Sequence, residues 1–400
     1  MIPSAIMKGF PVPPESRVPR EHWDRAPWNR WSFQNVRQIL PTVEVPAKRR
    51  GAWALPSRTE NLEQQSFTTV EGAGSTINQW LDSSYTDGFL VIHRGEVVME
   101  KYYNGMRRST LHLSQSVAKS VTSTVAGILV GRGLLDPQQE VCHYLPELGD
   151  TGWRAATLRQ VLDMTTGVRY VENYEALDSD IAVTDVASGW KPPAPGRNYP
   201  ACIWDQILTL TDTDMPHGQL FRYRSIETDV LAHCMERVTG TRLAELISRE
   251  LWKPMGAERS ASFTVDRAGY PLADGGFNAC LRDYARLGLL HLNGGFANGR
   301  QIVPAEWIDD IFNADPTLFG EPYNIASPLG AYRNQFWVHD LQRGIYMARG
   351  VFGQLIYVDR SHGMVAVKLS SWPEFISVPR LIDTLQALER IGQALNSSET

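Results

Sequence analysis

Two serines in this 400-residue chain stand three positions ahead of a lysine, in Ser116-Val117-Ala118-Lys119 and in Ser188-Gly189-Trp190-Lys191. A serine hydroxyl is a weak nucleophile until a neighbour accepts its proton, and a lysine does so when burial or nearby cations depress its pKa. Residues three apart on a helix share a face, so the two side chains can meet. Only the first pair has a helical pattern behind it: in SQSVAKSVTSTVAGILVGRG, Val117, Val121, Val125 and Ile128 recur at helical spacing from about Ser114, and Gly131 and Gly133 end the run. The second pair runs into GWKPPAPGRNYP, where proline and glycine leave nothing to hold Ser188 and Lys191 in register.

Ser116 is therefore the candidate nucleophile and Lys119 its base, at a helix N-terminus that favours developing negative charge. Tyr223, in FRYRSIETDVLAHCMERVTG, lies in a short loop running directly into a helix. From there a phenol can shuttle a proton between Ser116 and a leaving amine or alkoxide; packing at the helix start is the alternative. A lysine base implies activity rising with pH through an apparent pKa well below that of free lysine.

The surrounding pattern supplies the elements that must position these groups. FLVIHRGEVVMEKYY reads as a β-hairpin turning at His93-Arg94-Gly95-Glu96, and QFWVHD, GIYMARGVFGQLIYVDR and GMVAVKLSS read as later consecutive strands. SVPRLIDTLQALERIGQAL is an amphipathic closing helix. Between them, TLRQVLDMTTG, TDVLAHCMERVTG and CLRDYARLGLLHLNGG read as mainly helical. The expected organisation is an N-terminal arm over 1–70 packed on an α/β lobe, that lobe built from 71–135 and 293–400, and a mainly helical lobe over 136–292. Trp23, Trp28, Trp31 and Phe33 are the aromatic anchors expected to pin the arm.

Composition narrows the function. A net charge of −5 with interspersed signs gives no basic stripe, so nucleic acid is not an expected partner. The N-terminus is broken by prolines and charges and no apolar run approaches about 20 residues, so the reading is a cytoplasmic protein with no membrane partner. Cys142, Cys202, Cys234 and Cys280 form no CxxC pair and have no histidine at ligand spacing, which predicts reduced, buried thiols and no metal or other cofactor. GxSxG, HExxH, Walker and GxGxxG patterns are absent.

SQSVAKS, LLDPQQEVCHYLPEL, TLRQVLDMTTGV, FRYRSIETDVLA and ARGVFGQLIYVD, in that order, resemble the class C β-lactamase-like serine hydrolases, most closely their nylon-oligomer hydrolase branch and the family VIII carboxylesterases. The resemblance runs from PWNRWSF to KLSSWP, most of the chain. It implies a β-lactamase/transpeptidase-like fold, α/β plus all-α, with an antiparallel sheet flanked by helices, an inserted helical lobe and an active site in the cleft between. Ser116, Lys119 and Tyr223 match the family's catalytic positions, and Ser225 falls where β-lactamases usually carry an asparagine.

The resemblance also replaces the β-lactamase Lys-Thr-Gly strand motif by Ala348-Arg349-Gly350. Losing that lysine weakens a β-lactam reading, although Arg349 substitutes in part if its side chain faces the cleft. The N–H groups of Ser116 and Val351 would form the oxyanion hole beside Gly350, with Gly353-Gln354 as the other register. Tyr174 matches a residue that contacts the scissile amide and Asp185 one that binds a substrate ammonium. Asp274 falls where the branch has asparagine, as a further substrate-side group or as turn chemistry.

The expectation is a cofactor-free serine hydrolase, monomer or homodimer, that cleaves linear amides resembling 6-aminohexanoate oligomers, or small carboxylic esters, through an acyl-enzyme. The alternatives are a β-lactamase or D,D-peptidase, and a catalytically silent binding protein of the same fold.

Overall fold

The computed structural model describes residues 6–397, so the first five residues of the expected N-terminal arm lie outside the described residues. The main sheet has seven antiparallel strands in the order Ala331–Arg333, Phe336–Asp340, Ile345–Gly350, Gln354–Asp359, Met364–Ser370, Thr86–His93 and Glu96–Tyr102. The chain leaves this sheet after the early hairpin and returns to it late, where Met364–Ser370 pairs with Thr86–His93. The hairpin turn is the expected one. Arg94 and Gly95 both take left-handed φ, 49° and 87°, which matches a two-residue turn to the twist of its strands.

Both faces of the sheet are covered, which is why Thr86–His93 is buried at every position. Along Ile345–Gly350, Tyr346 and Ala348 join the core shared with the helix Val117–Gly131, while Ile345 and Met347 join the core under the closing helix Val378–Ser397. That closing helix buries Leu385, Leu388, Ile391 and Leu395, the stripe its periodicity predicts. The helix Leu281–Leu292 packs on the main sheet, against Met364–Ser370, Gln354–Asp359 and Thr86–His93.

Between hairpin and late strands lie the helices Asp180–Ala187, Ile203–Thr209, Ile226–Thr239 and Leu243–Ile247. A second, four-stranded sheet orders Thr42–Val45, Ala261–Thr264, Phe277–Ala279 and His112–Leu113. Strands of two to four residues are too short to show a period, so the sequence gives no sign of this sheet. Its first strand comes from the N-terminal segment, whose Trp23 and Phe33 are buried and whose Trp28 and Trp31 are half-buried. Trp23 Nε1 donates to the Trp190 carbonyl at 2.9 Å, Asn29 Nδ2 donates to the Trp372 carbonyl at 2.8 Å, and Phe33 meets Phe352 edge-on at 5.3 Å. The segment thus ties the helical region to the strand ends next to Ser116. All four cysteines are free thiols; three are buried, and Cys142 is partly exposed.

Candidate active site

Ser116 is the N-cap of Val117–Gly131, a helix whose first thirteen residues are all buried. Hydroxyls fix its rotation: Ser120 donates to the Gln335 carbonyl at 2.7 Å and Ser123 to the Asn334 carbonyl at 2.6 Å. Further along, a Cβ on Gly127 would lie 2.3 Å from the Trp307 ring, so the close seating of the helix requires glycine there. Just before the serine, Gln115 adopts φ 51°, a left-handed conformation that costs a non-glycine residue about 1 kcal/mol or more and swings Ser116 out at the helix start.

Lys119 Nζ donates to Ser116 Oγ at 2.9 Å and to the backbone carbonyl of Asp274 at 2.7 Å. The same ammonium lies 5.1 Å from the centroid of the Tyr223 ring. The Tyr223 phenol faces both Ser116 and Lys119, and its ring stacks on Trp337 with centroids 5.3 Å apart. On the opposite side, a Cβ on Gly350 would come within 2.5 Å of the Ser114 carbonyl and 3.0 Å of the Ser116 nitrogen, so only glycine lets this strand end meet the serine backbone. Gly353, where a Cβ would meet the Trp372 ring, and Gln354, whose side chain donates to the Ser370 carbonyl, also line the cavity beside Ser116; the close approach of Gly350 to the serine backbone makes Gly350 and Val351 the candidate register. Among the described residues the backbone N–H groups of Ser116 and Val351 donate to no protein acceptor.

A sequence model of the β-lactamase family matches residues 84–389. The chain belongs to the β-lactamase family of hydrolases. It is 35% identical over 364 residues to the 6-aminohexanoate-dimer hydrolase of Paenarthrobacter ureafaciens, covering 88% of each chain. A solved Bacillus anthracis structure named after 6-aminohexanoate-dimer hydrolase superposes with a TM-score of 0.88 at 29% identity, over 96% of this chain and 99% of the other. A family VIII carboxylesterase shares the fold alone, with a TM-score of 0.55 at 17% identity over 76% and 92% of the two chains. The antiparallel sheet flanked by helices is the β-lactamase/transpeptidase-like fold.

Against this family background, the site differs from the sequence expectation in its electrostatics. Burial pushes the Lys119 pKa down, yet the Tyr223 phenol and the Asp274 and Glu172 carboxylates more than offset it, and the lysine is held above its ordinary value. A depressed lysine needs cations or an apolar shell around it, and here its neighbours are anions. Asp274 places Oδ2 3.9 Å from Lys119 Nζ. Burial raises the Asp274 carboxyl pKa, with Lys119 opposing. Asp229, whose Oδ1 accepts from the Ala273 N–H at 3.0 Å, adds a further buried carboxyl.

A cavity of about 250 Å³ opens beside Ser116, walled by Tyr174, Tyr223, Gly350 and Val351 among others. Tyr174 stacks on Phe375 at 5.2 Å and its hydroxyl donates to Glu172 at 2.6 Å. Ser225 lies behind the wall at the start of Ile226–Thr239, donating its N–H to Glu172 at 2.7 Å and its hydroxyl to the same carboxylate. Glu172 was invisible as a candidate in the sequence. Its one signal is a position two residues before Tyr174 in the sequence.

Asp185 and Asp274 stand outside the cavity wall. Asp185, on Asp180–Ala187, faces the Asp24–Lys191 ion pair, and burial together with the Asp24 carboxylate pushes it up to about 7. Away from the site, Asp359, His362 and Glu389 bring potential metal-ligand atoms within 4.8 Å of one another, but His362 already bonds Asp359 and Arg343 pairs with Glu389. Among the described residues no helix is long and apolar enough to cross a membrane.

Proposed function

We propose that this protein is a serine hydrolase that cleaves linear amides carrying a free amino group, with small carboxylic esters as a second substrate class. The observation that carries this reading is the Lys119 Nζ to Ser116 Oγ contact of 2.9 Å at a helix N-terminus, with the Tyr223 ring 5.1 Å from that ammonium and the free N–H groups of Ser116 and Val351 alongside. Ser116 Oγ attacks the carbonyl carbon, and its proton passes into the Lys119–Tyr223 pair. The two N–H groups receive the oxyanion, usually the largest single contribution to such catalysis. Tyr223 then delivers a proton to the leaving nitrogen or oxygen as the bond to carbon breaks. Water attacks the acyl-Ser116 ester, releases the acid and returns the proton to Ser116.

Because Asp274 and Glu172 favour the lysine ammonium, the competent state is the one in which that charge has been discharged. Asp185 is the candidate ammonium contact from behind the cavity wall: the cations that act on it, Lys191 and Arg25, are paired with Asp24 and Glu175, so a substrate ammonium reaching it would meet a carboxyl with no ion pair of its own among the described residues. Tyr174, on the cavity wall, is the candidate contact for the scissile group. The ester reading is favoured by the apolar cavity floor of Trp337, Leu355 and Trp372. The family name alone does not favour β-lactams, since Ala348 replaces the strand lysine.

A substrate panel tests this choice. Turnover of 6-aminohexanoate dimer and p-nitrophenyl butyrate, with nitrocefin at least tenfold slower in kcat/KM than the better of the two, is the expected result. Nitrocefin as the best substrate would make the protein a β-lactamase, and no turnover of any of the three would leave a silent binding fold.

A further inference from the structure

The carbonyl that receives Lys119 is held in place from a second helix. It belongs to Asp274, in a turn over 272–276 that closes where the Gly276 N–H donates to the Leu272 carbonyl at 2.8 Å and then enters the strand Phe277–Ala279. Lys119 Nζ donates to the Asp274 carbonyl at 2.7 Å, and Thr122 Oγ1, on the same helix as Lys119, donates to the Ala273 carbonyl at 3.5 Å. From the other side, the Ala273 N–H donates to Asp229 Oδ1 at 3.0 Å. Asp229 stands in the first turn of Ile226–Thr239, the helix into which the Tyr223 loop runs. One short turn thus joins the helix that carries Ser116 and Lys119 to the helix that Tyr223 abuts.

Stability does not explain Asp229. The side chain is buried, and its second oxygen, Oδ2, is enclosed with no hydrogen-bond partner among the described residues. A polar atom enclosed in that way is costly, whereas an apolar side chain of similar size would not be. Glu227, buried in the same turn, differs in that both its oxygens accept, one from Trp153 Nε1 at 2.9 Å and one from the Thr166 hydroxyl. Burial and the Asp274 carboxylate push the Asp229 carboxyl well above its ordinary range, which favours its neutral form. Its Oδ1 is engaged right beside the Lys119 acceptor, and the residue lies outside the cavity wall.

We propose that Asp229 is a positioning residue for the reaction: by holding the Ala273 amide it fixes the Asp274 carbonyl, and that carbonyl keeps Lys119 Nζ aimed at Ser116 Oγ. The proposal rests on the reading of Lys119 as the proton acceptor of Ser116, and it adds the residue that keeps the acceptor in line. Asp229 acts through Lys119 and touches no substrate.

Rescue by the matching amide separates this role from a contribution to folding alone. Asp229→Asn, Asp229→Leu and Asp229→Glu proteins, each checked for folding by circular dichroism, are compared with the parent in the rate at which a fluorophosphonate labels Ser116 and in kcat for p-nitrophenyl butyrate. Asparagine offers the same acceptor to Ala273 and should keep both rates within about threefold. Leucine offers none, and both rates should fall at least about tenfold, since misplacing a reacting group by about 1 Å costs up to the order of a hundredfold. Glutamate, which keeps the acid and moves its acceptor by a methylene, should fall in between. Parental rates in Asp229→Leu overturn the proposal, as do parental rates in Asp229→Glu where the leucine protein does not fold. A loss in Asp229→Asn as large as in the other variants overturns it too. Activity that survives Ser116→Ala, or a parent that neither labels nor turns over, is a failure of the hydrolase reading and takes the proposal with it.

Discussion

The spacing Ser-x-x-Lys occurs twice in this chain with opposite structural outcomes. Ser116 stands at the N-terminus of a fifteen-residue helix, where Lys119 returns on the same face to hold its hydroxyl at 2.9 Å. Ser188 caps the C-terminus of Asp180–Ala187, donates its hydroxyl to the Asp185 carbonyl at 3.1 Å, and is followed by Gly189 at φ 76°. Past that turn, Lys191 ends on Asp24 and the Glu21 carbonyl. A helix C-terminus disfavours negative charge and a broken helix loses the register, so three-residue spacing carries chemistry only at one end of a continuous helix.

The comparison breaks most sharply at the serine itself. Ser116→Ala should lower turnover of every substrate by at least about a thousandfold, with Lys119→Ala close behind, and residual activity above a few per cent in protein shown folded by circular dichroism contradicts the assignment. Next in size, Asp185→Asn should reduce kcat/KM for 6-aminohexanoate dimer roughly 10- to 150-fold, the worth of one charge-assisted hydrogen bond, and change p-nitrophenyl butyrate hydrolysis less than about threefold. Equal losses on both substrates would make Asp185 a support of the fold.

The helix seat is open to direct measurement. Gly127→Ala drives a methyl into Trp307, and urea unfolding should show a loss of about 1 to 3 kcal/mol despite the better helix propensity of alanine. An unchanged midpoint would mean that Trp307 moves aside freely.

The pH profile sharpens the electrostatic side. Lys119 is held above the ordinary lysine value, and a base must lose its proton to act, so kcat should still be rising at pH 9 when chemistry limits the rate. Asp274→Asn removes an anion that favours the ammonium and should move the rise to lower pH; a profile already flat by pH 7.5 in the parent contradicts the raised lysine. Smallest of all, Ser188→Ala should leave every kinetic constant within about twofold, and a larger loss would revive the second pair.

What the sequence made legible follows the same logic of continuity. The hairpin, the closing helix and the site helix each repeat a pattern over eight or more residues, enough for their period to show. Ser116 and Lys119 were readable because one helix carries both, and Tyr223 because it abuts another. The four-stranded sheet, whose strands run two to four residues, left no pattern. The place of Glu172 beside the cavity depends on how its loop packs against the start of Ile226–Thr239, a property of contact between distant segments. The sign of the Lys119 shift was also hidden, because Asp274 and Glu172 reach it from chain positions more than fifty residues away in either case.

Covalent capture of the nucleophile tests the central claim most directly. The protein is treated with a fluorophosphonate and digested, and its peptides are mapped by mass spectrometry while residual p-nitrophenyl butyrate hydrolysis is followed. One adduct per chain on the peptide containing Ser116, formed in step with the loss of activity and absent from Ser116→Ala, is the expected result. An adduct on the peptide containing Ser188 or elsewhere, or complete modification of Ser116 with activity retained, would contradict Ser116 as the residue that carries the acyl group.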